Sequence, residues 1–468
     1  MNKVAKGPAA LTVFSLTMIT VGSVDSIRNL PLTAYLGSQL IFFFLLSAVF
    51  FLIPAALVSA ELASGWPKQG GIYVWVKEAF GSQFAVIAIW LQWIENVIWY
   101  PTILSFVAGT IGYLIDPTLI ENKYFLIAVI LASFWGATWV NLRGMKSSAM
   151  FSNLCAISGL LVPMTLIIGL GAAWCFGDHT LHIQMTWEGI IPKFEDKSIW
   201  VSLTGIILSF CGVEIATVHA NEVVDPQRAF PRALLYSVAI ILSTLILGSL
   251  AIAIVLPKDQ ISLVAGIMQA FNAFFAAYHL SALMPLIALM LVLGGLGGVS
   301  NWIIAPTKAL QVAAHDGHLP QCCTHVNEHH APYVLLIAQA VIVSLLSMVF
   351  LLMPTVNSSY WLLTSLAAQL YMLMYILMFA AGIKLAFTQP YRERVFRIPG
   401  GAYGMLVVAG AGIFGVLTTM VVSFIPPGTS FVGNTVLYET LLISGLIVMC
   451  MPPFILFRYR RRQIESAI

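Results

Sequence analysis

Thr20-Val21-Gly22-Ser23-Val24-Asp25-Ser26 is a run of small and polar residues set inside an apolar stretch, about 9 to 36, that is long enough to cross a bilayer. Asp25 and, three residues on, Arg28 would sit at membrane depth, where a charge costs about 2.5 kcal/mol or more. On a continuous helix the two would share a face and could form a self-neutralising ion pair that permits insertion. An interrupted helix is the other reading, and it also explains the small and polar composition. The same pattern returns at Ser209-Phe210-Cys211-Gly212-Val213-Glu214, where Gly212 permits backbone to leave the helix and Glu214 stands at the break.

Around these two stretches the chain is apolar almost throughout. Of its 468 residues 60% are hydrophobic and 9% charged, with mean hydropathy +0.93, whereas soluble chains carry about 25% charged residues. That excludes a soluble globular protein, and the long continuous apolar runs speak against a transmembrane β-barrel. Windows of about 20 apolar residues give twelve spans, roughly 9 to 36, 38 to 62, 82 to 114, 124 to 141, 148 to 176, 199 to 222, 232 to 256, 279 to 313, 332 to 353, 359 to 386, 402 to 425 and 437 to 457. The first span carries no small-residue cleavage site and is expected to stay in the membrane. An even count puts both termini on one side. Of the 22 Lys and Arg, 17 fall on the termini and even-numbered connections, four on the opposite loops, and Arg28 lies within a span. The positive-inside rule makes both termini cytoplasmic. The cluster Arg458-Tyr459-Arg460-Arg461-Arg462 reads as a stop-transfer anchor at the lipid headgroups of the bilayer. A net charge of +3 is too balanced to suggest nucleic-acid binding.

Two broken helices in corresponding positions of two five-span halves point to a transporter with inverted repeats. Unwound backbone frees N–H groups, which suit a carboxylate, and C=O groups, which suit an ammonium or cation. That chemistry matches a zwitterion. Glu95, in Trp93-Ile94-Glu95-Asn96-Val97-Ile98-Trp99-Tyr100-Pro101, is either a neutral carboxyl bonded to a neighbouring helix or a titrating group in the permeation path. The run Gly294-Gly295-Leu296-Gly297-Gly298 lacks a preceding strand and a P-loop Lys, so it reads as a site of close helix approach. The six cysteines do not form a disulfide framework. Cys322-Cys323-Thr324-His325 with His329-His330 fits no standard zinc spacing, and neither metal nor cofactor is expected. There is no H-E-x-x-H, no G-x-S-x-G and no intramembrane His pair, which argues against an intramembrane enzyme.

The chain resembles the amino acid-polyamine-organocation transporter superfamily, and within it the bacterial glutamate/GABA antiporter branch. The resemblance rests on Phe210-Cys211-Gly212-Val213-Glu214 with His219-Ala220-Asn221-Glu222, and on Pro67-Lys68-Gln69-Gly70-Gly71-Ile72-Tyr73 leading to Trp75 and Ala79-Phe80-Gly81. It rests further on Asn301-Trp302-Ile303 with Ala305-Pro306, on Phe396-Arg397-Ile398-Pro399-Gly400-Gly401, and on Ser423-Phe424-Ile425-Pro426-Pro427. It implies an all-α, LeuT-type fold of twelve transmembrane helices. A single domain would hold repeats at about 9–176 and 199–386, two more helices at about 402–457 and a basic tail at 458–468. It implies alternating access in an inner-membrane amino-acid transporter, with an exchanger as the leading expectation and a proton-coupled amino acid or polyamine symporter as the rival. The resemblance places Gly22, Ser23, Val24, Asp25, Ser26 and Arg28 at the substrate, with the Val24–Ser26 amides on its carboxylate. Phe210, Cys211, Gly212 and Glu214 would hold the amino group and gate the site, and Glu95, Tyr100, Gly298, Trp302 and Tyr371 would line the path. Asp25 and Arg28 stand where that branch carries uncharged residues, Asn153 where many relatives place a lysine, and Gly298 where the branch has an acid. A long C-terminal plug is not expected, and a homodimer is left open.

Overall fold

The computed structural model describes residues 12–66, 70–143, 155, 157–192, 200–216, 226–426 and 434–467. Pro67-Lys68-Gln69, Asn153, His219-Ala220-Asn221-Glu222 and Pro427 lie outside the described residues. Among those described, the secondary structure is helical, with no strand. Ten helices are long and apolar enough to cross a membrane: Gly37–Gly65, Ser82–Ile115, Lys123–Leu142, Ser158–Phe176, Arg232–Val255, Ser281–His315, Tyr333–Leu352, Val356–Thr388, Gly401–Val422 and Thr435–Arg458. They fall on ten of the twelve stretches read from hydropathy, which we number as spans 2 to 5 and 7 to 12.

The other two stretches hold shorter helices. In the first, α1 (Val13–Val24) is followed by the short α2 (Leu30–Ala34); in the sixth, α3 (Ser202–Phe210) is followed by α4 (Val213–Ala216). The chain between spans 7 and 8, read as a plain connection, contains a further helix, Gly266–Ala277. Its 12 residues rise about 18 Å, short of the roughly 30 Å hydrocarbon core. Ile267, Met268, Phe271, Phe274 and Phe275 bury it against the bundle.

Local chemistry accounts for the bends and ends. Spans 2 and 5 each open into a wide π-turn, Ala48–Leu52 and Ile157–Leu161, immediately ahead of Pro54 and Pro163. A proline has no N–H and its ring crowds the carbonyl four residues back, so the turn before it widens. Span 10 starts at a capping box, with Thr355 and Ser358 each accepting the other's backbone N–H at 3.1 and 3.0 Å.

Span 3 is the central helix, packed between spans 8 and 10, and 72% of its apolar window is buried, against 11% for span 12. The outer helices expose large apolar side chains such as Phe176, Val407, Val421 and Val436. Such a surface requires lipid around it. Span 2 is tied to the loop between spans 10 and 11: Glu61 forms a buried ion pair with Arg394 and accepts the Ile398 N–H at 2.7 Å. Between spans 2 and 3, the amphipathic helix Ile72–Phe80 is tied to the end of span 8. Lys77 and Tyr73 both bond to Asp316, at 2.5 and 2.6 Å.

Candidate functional site

The break in the first span begins where α1 ends. The Asp25 N–H makes the last helical bond, to Val21 O at 2.8 Å, and Asp25 and Ser26 then run extended, at ψ 130° and 117°. A 3-10 turn, Ile27–Asn29, leads into α2, whose first turn contains Pro31. A proline there leaves no helical bond missing. In the sixth span, Cys211 is extended at ψ 149° and Gly212 has φ +102°, a backbone region that L side chains rarely adopt. The Gly212 N–H donates to the Tyr375 hydroxyl at 3.2 Å. The two breaks touch, since a Cβ added to Gly212 would lie 3.0 Å from the carbonyl oxygen of Ser23.

Beside them is a cavity of about 190 Å³. Of the residues singled out from sequence, Gly22, Ser23, Val24, Asp25, Ser26, Arg28, Cys211, Glu95, Gly298, Trp302 and Tyr371 line it. Phe210, Gly212, Glu214 and Tyr100 stand behind its wall. Phe210 packs on Phe44 with ring centroids 5.7 Å apart. Tyr100 donates to Trp302 O at 2.8 Å. Glu214 accepts from Tyr371 at 2.8 Å, from Gln92 at 3.3 Å and from Tyr375. The carboxylate thereby pins spans 3, 6 and 10 together.

Asp25 and Arg28 do not form the ion pair that a continuous helix would allow. The extended backbone at Asp25 and Ser26 cancels the i,i+3 relation and sends the two side chains to different neighbours. One Asp25 oxygen, Oδ2, accepts from Thr244 in span 7 at 2.8 Å. Arg28 Nη1 donates to Thr102 at 3.1 Å and to Tyr360 at 3.2 Å, and its guanidinium lies 4.9 Å above the Trp99 ring. Asp25 is 7% exposed and Arg28 5%, yet Asp25 Oδ1 and Arg28 Nε have no hydrogen-bond partner. Glu95 lines the same cavity, within electrostatic reach of Arg28 and Glu214. The site thus presents one guanidinium and two carboxylates to a small volume, with polar capacity to spare.

The glycine run of span 8 separates into two functions. Gly294 and Gly297 face span 5, where added Cβ atoms would lie 2.3 Å from Gly159 Cα and from Cys155 Cβ, so the helices meet at the backbone. Gly298 faces the cavity and has only Ile103 Cδ1 within 4 Å, at 3.7 Å.

Sequence reading missed Thr244, Tyr360, Gln92, Trp99, Thr102 and Tyr375 as partners. Part of this was visible: Gln92, Glu95, Asn96 and Trp99 recur at helical spacing and mark one face of span 3, as Tyr371 and Tyr375 do on span 10. Among the described residues, no group of three or more His, Cys, Asp or Glu could hold a metal ion, and Cys322 and Cys323 sit in a peripheral turn.

Comparison with known proteins adds a family. The family model described as amino acid permease matches residues 11–447. An uncharacterised transporter of Legionella pneumophila is 45% identical over 97% of this chain and 98% of its own. The glutamate/γ-aminobutyrate antiporter of Lactococcus lactis is 29% identical over 98% and 92%, and that organism's probable agmatine/putrescine antiporter is 20% identical over 90% and 89%.

Proposed function

We propose that this chain, which belongs to the amino acid permease family, is an inner-membrane exchanger of amino acids that works by alternating access. The observation that carries the reading is the contact between the two broken spans at a cavity holding Asp25, Arg28 and Glu95. Broken helices that meet at mid-membrane beside intramembrane charges are what a transporter needs to strip water from a polar solute. The antiporter relatives of Lactococcus lactis support exchange as the mode.

In this reading spans 1 to 5 and 6 to 10 form the two inverted repeats of a LeuT-type arrangement, about 9–176 and 199–386, followed by two further helices. Both termini are cytoplasmic, by the distribution of Lys and Arg. The substrate carboxylate faces the unwound backbone of the first span, where the Asp25 N–H is already used by α1 and the Ser26 N–H bonds the Asp25 carboxyl. Arg28 and Asp25 tune charge preference. Glu214 holds the sixth-span break in place through Tyr371 and Tyr375, so that the break can act as a gate.

Reconstituted into liposomes loaded with one unlabelled amino acid or amine at a time, the protein is expected to take up labelled amino acid only when a particular substrate is inside. Uptake into empty vesicles driven by a pH gradient would overturn exchange in favour of proton symport. The observation on the side of symport is Glu95, a buried carboxyl that lines the cavity within electrostatic reach of Glu214 and Arg28.

A further inference from the structure

We infer that the groove where span 2 meets the loop ahead of span 11 binds a glycerophospholipid whose headgroup carries a primary ammonium, with the phosphate on Arg397, the ammonium on Glu393 and an acyl chain along span 2. The inference stands apart from the transport reading, since it holds whichever solute the chain carries.

Leu57 of span 2 forms one wall of the groove, and Glu393, Arg394, Phe396, Arg397 and Pro399 of the loop form the other. The loop is held from several sides. The guanidinia of Arg392 and Arg394 each lie 5.3 Å from the centre of the Trp66 ring, and Arg392 Nε donates to Gly65 O at 3.1 Å. Arg394 is already spent: Glu61 neutralises it, and its Nη2 donates to Leu385 O and Gln389 O at 2.8 and 3.0 Å. The charges that the groove can offer a ligand are therefore Glu393 and Arg397, both exposed. A bond from Arg397 Nη2 to Arg392 O at 2.7 Å steadies the guanidinium and takes one of its five donors.

One cation and one carboxylate in a groove select a zwitterion over an anion. A guanidinium matches two oxygens of a phosphate, and Pro399 stands just ahead of span 11, whose helix dipole is positive at that end. Glu393 repels a second negative charge and accepts from a primary ammonium. A choline headgroup carries the charge but has no N–H to donate.

The apolar continuation of the groove faces outward. Leu45, Val49 and Ile53 are exposed and Leu57 is half-buried, a row that recurs every four residues along span 2 and ends at the groove. The row rises about 18 Å, enough to take an acyl chain through one leaflet's share of the roughly 30 Å hydrocarbon core. Span 11 flanks it, with the Phe414 and Phe50 ring centroids 5.5 Å apart. Tyr391 and Tyr403, both exposed, mark the level of the headgroups, where basic pockets beside transmembrane helices hold lipid phosphate.

The test is native mass spectrometry of the purified full-length protein in detergent, titrated with dioleoyl phosphatidylethanolamine, phosphatidylcholine or phosphatidylglycerol. Phosphatidylethanolamine should bind more tightly than either of the others by about three- to fivefold, the scale of one exposed charge pair. Glu393→Gln should bring it down to the level of phosphatidylcholine. Arg397→Gln should weaken all three lipids, and Arg397→Lys should restore part of the loss. Water-soluble glycerophosphoethanolamine, which has no acyl chain, should displace none of them. The ratio between lipids within one protein is the readout, so a change in overall stability does not enter it. Equal affinity for the three lipids, tighter binding of phosphatidylglycerol than of phosphatidylethanolamine, a preference unchanged in Glu393→Gln, affinities unchanged in Arg397→Gln, or displacement by the soluble headgroup would each overturn the assignment.

Discussion

Gly212 in the sixth-span break rests on the backbone of Ser23 in the first, close enough that a methyl group at Gly212 would stand 3.0 Å from the Ser23 carbonyl oxygen. With φ at +102°, the position is closed to other residues on conformational grounds as well. Gly212→Ala is expected to cost about 1 to 3 kcal/mol, typical of strained backbone. Transport should fall further than thermal stability, since the contact lies where the two broken helices meet. Melting of the detergent-solubilised variant beside its uptake in liposomes measures both.

The buried ion pair between Glu61 and Arg394 should be far more sensitive to loss of one partner than of both. Glu61→Leu leaves an uncompensated guanidinium with a side-chain exposure of 5%, at an expected cost of about 3 to 5 kcal/mol. The double variant Glu61→Leu/Arg394→Met should recover much of that. Thermal unfolding of the two single variants and the double closes the cycle, and additive losses would refute the coupling.

Lys77, Tyr73 and Asp316 form a contact that responds to acid. The hydrogen bond from Lys77, then that from Tyr73, hold the Asp316 carboxyl below its usual 3.8. A depressed carboxylate pKa contributes stability above the unfolded value, and the contribution is lost as pH falls through the folded one. Wild type should therefore exceed Asp316→Asn in melting temperature at neutral pH, with the gap closing below about pH 4. Lys77 and Asp316 are 42% and 36% exposed, so the gap is small, about 1 kcal/mol or less, and shrinks further in high salt.

Two glycines in one run of span 8 should give opposite results. Gly294→Ala forces a methyl group to 2.3 Å from Gly159 Cα and is expected to cost about 1 to 3 kcal/mol of overpacking. Gly298→Ala meets only Ile103 Cδ1 at 3.7 Å, and a helical alanine should leave melting unchanged or slightly higher. Thermal melts of the two variants side by side test the division.

Sequence made the helices readable because a bilayer demands long apolar runs, and the edges of spans 3, 4, 7 and 10 fall within a few residues of their expected places. The breaks were readable for the converse reason: Asp25 and Gly212 are residues that an uninterrupted apolar helix does not favour. The partners of the charges were not. Thr244 lies 219 residues from Asp25, and Tyr360 lies 332 from Arg28. Such pairings depend on how spans 1, 3, 7 and 10 pack, which no local spacing encodes. The expected Asp25–Arg28 pair shows the limit from the other side, since a spacing of three predicts contact only while the helix between the two residues survives. Gly266–Ala277 escaped because a 12-residue apolar helix is too short to register as a span, so the stretch was read as a connection.

Gly159 is both a member of the wide turn in span 5 and the residue whose backbone meets Gly294 in span 8. Contact and bend therefore coincide. The widened turn of span 5 is held where its backbone meets span 8, and Val162–Phe176 leaves it as a regular helix. Pro163 fixes the address of that joint, because the widened turn cannot migrate along the helix past a residue that has no N–H to give back.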